Sequence, residues 1–199
     1  MTGKIEGDSL QDGAVLIFCL IFLLVLTMMS ASSMESSILE EKISGSMLDY
    51  SKAFHAAEAA LRAGETSLSG LNLRPDGSID GGTGIWQKNA MDPDLLNSIS
   101  WWSEPARNNA DWWTGTAFVL AEFTGPVVVP AYTIEAYASA FLPALETDEE
   151  LVERALYRVT ARGTGGQDST IVHLQSIFAM TISIDSIESA GRQSWRQLE

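Results

Sequence analysis

Cysteine is nearly absent. Cys19 is the only one, so no internal disulfide can form, and a single thiol suits an oxidising or a reducing compartment equally. Histidine is almost as scarce. Neither His55 nor His173 has a spaced Cys, Asp or second His with which to build a metal site or a catalytic triad. Basic charge is also low: 12 Lys and Arg face 26 Asp and Glu, a formal net charge of −14. That balance excludes a nucleic-acid surface, which needs clustered cations to neutralise phosphates. The glycines from Gly163 to Gly166 form too short a run for a phosphate loop, and Glu104 and Asp111, carboxylates beside tryptophans, stand alone as a glycosidase-type pair. No enzyme, cofactor or metal is read from the chain.

Proline is missing from Gly13 to Gly64, and there the sequence is most informative. The chain of 199 residues is 46% hydrophobic, which suits one domain, or one domain plus an anchor, and much of its apolar content lies in one run. From Ala14 to Met29 only Thr27 is polar. At the helical rise this run spans roughly 24 Å, and the small residues from Ser30 to Met34 complete a membrane crossing. The run has no polar face, which argues against a buried helix of a soluble core. Beyond it Ile38, Leu39, Ile43, Met47, Tyr50, Phe54, Ala57 and Leu61 recur at three- and four-residue steps, and Gly64 reads as a C-cap. Residues 14–64 are therefore expected to form one helix, with a membrane span over 14–34. The upper part of its stripe would fill a domain core and the lower part would meet neighbouring helices. Ahead of it, residues 1–13 are polar and acidic. They lack the cationic region and Ala-x-Ala site of a secretory signal, and give no positive-inside support for a cytoplasmic N-terminus.

Residues 65–199 read as a globular domain. Asp76, Ser78, Asp80 and Gly81 carry the first spacings of a calcium loop, but the twelfth position is Gln87 and no helix pair flanks it, so a surface turn is expected. Trp86, Trp101, Trp102, Trp112 and Trp113 crowd one segment with only Lys88 and Arg107 nearby; core packing is the expected role, with a carbohydrate or protein surface as the other reading. Strands are read at Thr114–Phe123, Tyr132–Phe141, Ala155–Ala161 and Thr170–Met180. Arg162–Ser169 reads as a hairpin loop and Glu146–Arg154 as a solvated acidic loop or short helix. Thr181–Ile187 would extend the last strand or add another, and Gly191–Glu199 would be a loose tail. The expected class is α+β: a long helix packed on an antiparallel sheet of three to five strands.

Gly13-Ala14-Val15-Leu16-Ile17, Met34 to Gly45, Ala53 to Glu65, and Tyr157 to Gly166 with Leu174-Gln175-Ser176 together resemble the PilX-type minor pilins of the type IV pilin family. The resemblance covers both ends of the chain and leaves roughly residues 66–150 unmatched. It implies the type IV pilin fold, cleavage by prepilin peptidase after Gly13 and N-methylation of Ala14. It also implies filament packing through Phe18, Phe22, Ile38, Ile43, Phe54 and Leu61. Most pilins carry Phe at the position of Ala14, and major pilins carry Glu at that of Phe18, where it pairs with a neighbour's new N-terminus. A carboxylate in lipid is costly unless paired. A subunit without it needs no predecessor, as at a filament tip; insertion by apolar packing alone is the other reading. The implied partners are other minor pilins, the major pilin, prepilin peptidase, the inner-membrane assembly machinery and a tip adhesin. The implied location is the inner membrane, with the domain in the periplasm, and then the extracellular pilus. Two other assignments stay open: a pseudopilin of a type II secretion system, and an anchored periplasmic binding module using Trp101 and Trp102.

Overall fold

The computed structural model describes residues 12–143, 151–183 and 186–198. The chain divides into two compact units, Met1–Met47 and Leu48–Glu199. Helix α1, Asp12–Ser69, supplies the described part of the first unit and continues into the second. The leader expected over residues 1–13 lies outside the described residues except for its last two, Asp12 and Gly13, which form the first turn of α1. In the first unit every residue from Ala14 to Met47 is exposed. This part of α1 contains an apolar stretch long enough to cross a membrane.

The second unit is an α+β domain, as the resemblance implies. Its sheet has six strands in the order β1-β3-β4-β5-β6, with β2 also on β3. The strands are β1 (Trp86–Gln87), β2 (Phe118–Val119), β3 (Ala131–Pro143), β4 (Leu151–Thr164), β5 (Ile171–Ser183) and β6 (Ser186–Leu198). All pairings are antiparallel except the two-residue β1 on β3, so the sheet is mixed.

Small residues decide how α1 meets this sheet. Ala53, Ala56, Ala57, Ala60, Leu61 and Leu68 are fully buried, and they recur at helical spacing. The core they enter holds Tyr132, Ile134, Tyr157, Val159, Ala161, Leu174, Phe178 and Met180. The buried stripe is thus shifted from the expected one: Tyr50 is exposed, and alanines take the central positions. Gly64 is not a C-cap. The helix runs one turn further, and a β-carbon at Gly64 would stand 2.7 Å from Val159 Cγ1 and 2.8 Å from Tyr132 Cδ2. Glycine is there for close approach. Past it, Glu65 accepts two 2.7 Å hydrogen bonds from the Arg192 guanidinium and one of 2.6 Å from the Ser176 hydroxyl, which fastens the end of α1 to β5 and β6.

Several sequence expectations need correction. Thr114–Phe123 is not one strand: α2 (Ala110–Thr116) occupies its start, capped where the Asn109 side chain accepts the Trp112 N–H at 2.8 Å, and only Phe118–Val119 is extended. Leu151–Arg154 belongs to β4 rather than to an acidic loop, because β3 supplies a full ladder of partners; residues 144–150 lie outside the described residues. Arg162, Gly163 and Thr164 are strand residues too, paired with His173, Val172 and Ile171, so the hairpin loop is shorter than expected. Gly191–Leu198 is no tail. It forms most of edge strand β6, whose polar sequence hides its role because the hydrogen bonds to β5 hold it while most of its side chains face water.

Candidate functional site

Two regions bear on function: the bare apolar part of α1, and the sheet face that α1 does not cover. In the first unit Gly13 and Ala14 sit in the opening turn of α1, and Phe18, Phe22, Ile38 and Ile43 are all exposed, Phe18 to 72%. Among the described residues none of these four finds a partner that covers it. The remaining two members of the expected packing set behave differently. Phe54 is half-buried and meets Trp195 edge-on at 6.1 Å. Leu61 is fully buried in the domain core, so it cannot also touch a neighbouring subunit; its expected filament role is corrected to a core role.

The second region begins with β4. Val159 and Ala161 face α1, so Arg158, Thr160 and Arg162 face the opposite way. Directly opposed residues on antiparallel strands share a face. One row across the sheet is therefore Ala131, Arg162, His173 and Leu198; the next is Thr133, Thr160, Gln175 and Arg196; a third begins with Glu135 and Arg158. Covering it is a cluster of Met91, Trp101, Trp113 and Ala131, with Trp86, Trp102 and Trp112 packed at its margin. Trp101 and Trp113 lie 5.9 Å apart, nearly parallel, and Trp113 lies 5.7 Å from the His173 ring. The Arg107 guanidinium stands 5.1 Å over Trp112, and its Nε donates to the Met91 carbonyl at 2.8 Å.

Trp101 and Trp113 are buried, which matches the expected packing role and leaves neither ring face open to a sugar. Glu104 is buried and accepts from Asn97 Nδ2 at 2.7 Å, whereas Asp111 is an exposed residue in the first turn of α2. In the calcium-like turn, the Asp80 carboxylate accepts the Gly82 N–H at 3.0 Å. That bond, then the Ser78 hydroxyl, holds its carboxyl below the ordinary range. Gly81 and Gly84 adopt φ of +70° and +80°, which supports a turn. Among the described residues no group of three His, Cys, Asp or Glu could hold a metal ion. His55 is exposed and lies 3.8 Å from Glu58.

His173 is the titrating group of this face. Burial, reinforced by the Arg162 charge, pushes its pKa from 6.5 down to about 4. The unfolded chain therefore binds the proton first, and stability is lost as pH falls from 6.5 towards 4. The expected loss is about 3 kcal/mol. Thermal melts across that range should slope less steeply in a His173→Gln variant than in the wild type; equal slopes would contradict this origin.

Two family models match the chain. One, described as PilX N-terminal, covers residues 12–62, and the other, described as type IV pilus assembly protein PilX C-term, covers residues 74–180. The second spans most of the middle region that the sequence resemblance left unmatched. No curated protein and no solved structure matches the chain.

Proposed function

The chain belongs to the PilX family of type IV pilus assembly proteins, and from that premise we propose that it is a minor pilin that primes or tips the filament, and so serves adhesion or motility. One observation carries the proposal. From Ala14 to Met47, α1 is exposed along its whole length although its first half is almost entirely apolar. Such a surface needs lipid around it before assembly and other helices around it afterwards. Phe18, Phe22, Ile38 and Ile43 then provide the packing surface towards other minor pilins and the major pilin. A pseudopilin would use the same helix; the type IV pilus description of the family model over residues 74–180 favours the pilus.

Processing follows from the same helix. Prepilin peptidase cuts after Gly13, where a side chain would crowd the cut, and Ala14 becomes the methylated N-terminus in the inner membrane, with the domain in the periplasm. The apolar Phe18 suits a subunit that docks on no predecessor, in contact with a tip adhesin and the assembly machinery.

Co-expression with a prepilin peptidase tests this. The purified chain should lose residues 1–13 and gain one methyl group on Ala14 by intact-mass analysis; an uncut chain would sink the minor-pilin proposal. In the same strain, immunogold on sheared pili should label filament ends. Uniform label along the shaft would overturn the tip placement.

A further inference from the structure

The sheet face under the tryptophans is polar, and its rows are not equally satisfied. In the middle row Gln175 Nε2 donates to Thr160 Oγ1 at 3.1 Å, and Arg196 Nη2 donates to Gln175 Oε1 at 2.7 Å. In the third, Arg158 Nε donates to Glu135 Oε2 at 2.7 Å. The first row has no such closure. Arg162 is only 4% exposed, and its Nε finds no partner among the described residues. His173, opposite it and 9% exposed, has Nε2 in the same state. So have the indole Nε1 atoms of Trp101, Trp102 and Trp113, which continue the cluster from His173 outward.

Four of these five groups are obligate donors, and the fifth is a donor in one neutral tautomer. A buried guanidinium without a counter-charge is strongly unfavourable. Burial lowers the Arg162 pKa, and no carboxylate among the described residues offsets it. Water accepts from two such donors at a time but brings no charge to offset Arg162. An anion brings only acceptors.

We propose that Arg162, His173 and the indole N–H groups of Trp101 and Trp113 form a buried site for one small, weakly hydrated inorganic anion of the halide class. Size follows from burial: Arg162, Trp101, Trp113 and His173 are each at least nine-tenths buried, so a partner's carboxylate has no route to them. Weak hydration follows from the indole walls, which cannot replace a tightly held water shell. The site lies in the domain and is independent of the pilin assignment.

The test uses the full chain in uncharged detergent, with sodium bromide, chloride, fluoride or gluconate at one ionic strength. The melting temperature should be higher in bromide and chloride than in fluoride or gluconate, by roughly 3 °C or more once the site is filled. An Arg162→Met variant should lose that difference. If this variant does not fold, wild-type tryptophan fluorescence decides: bromide should quench it saturably at low concentration, while gluconate leaves it unchanged. Equal melting temperatures in all four salts, an Arg162→Met variant that keeps the difference, or quenching that stays linear in bromide would each overturn the proposal and leave water as the occupant.

Discussion

Replacing Gly163 with valine is expected to cost the domain at least about 3 kcal/mol and to lower its melting temperature by roughly 6–12 °C. Gly163 lies in β4 opposite Val172, at the point where the sheet meets α1 most closely. A β-carbon there would collide with the backbone of Ala53, Ala56 and Ala57. A flexible side chain could turn away from such a contact, but the main chain of a helix cannot. The cost therefore falls at or beyond the upper end of ordinary overpacking, and even Gly163→Ala should be measurably less stable. Gly191→Val is the control, since a β-carbon at Gly191 meets nothing within 4 Å. That change should stay within about 0.5 kcal/mol of wild type. A Gly163→Val melting temperature within a degree or two of wild type would refute the close-packing account.

The same contact explains which parts of the fold are legible in sequence. The apolar run from Ala14 and the stripe leading to Leu61 announce a long helix, because their periodicity is a property of the helix alone. Gly64 and Gly163 announce the wrong thing. Read locally, a glycine after Leu61-Arg62-Ala63 is a cap, and one beside Gly165 and Gly166 is a loop. Both instead make room for an element distant in the chain: Val159 and Tyr132 for Gly64, α1 for Gly163. β6 was hidden for a related reason. Its ladder is supplied by β5, and the contacts that mark it as structure, Arg192 to Glu65 and Tyr50 to Gln197 at 2.8 Å, join residues far apart in sequence. Of the expected packing residues, Phe18, Phe22, Ile38 and Ile43 were readable as a surface because nothing among the described residues competes for them. Leu61 carried the same pattern but is consumed by the core. A signal for α2 was present in Asn109, placed to cap a turn that begins with Ala110, and the strand read from Thr114 overran its end.

The polar sheet face was not legible at all, and its strongest member gives the second large effect. Glu135→Ala is expected to destabilise the domain by about 3–5 kcal/mol, the usual consequence of stripping one partner from a buried ion pair. Glu135 is fully buried in β3 and binds Arg158 of β4 through both Nε and Nη2. Its other carboxylate oxygen accepts the backbone N–H of Asn89, a non-glycine residue held at φ +62°. The carboxylate thus has two tasks: it neutralises a largely buried arginine, and it stabilises an unfavourable turn just ahead of the tryptophan-bearing segment. Removing it should leave Arg158 without a counter-charge and release the turn. Hydrogen exchange should then show lost protection at Asn89 while the central ladder of β4 and β5 stays protected. Replacing both partners by leucine should recover more than half of the loss, because apolar groups of similar size leave no charge stranded. If Glu135→Ala melts like wild type, or the double variant is no better than the single, the pair contributes little. If both outcomes appear as expected, the Glu135–Arg158 row fastens the start of the tryptophan cover, and the unsatisfied Arg162–His173 row beneath Trp113 stays shielded only while that fastening holds.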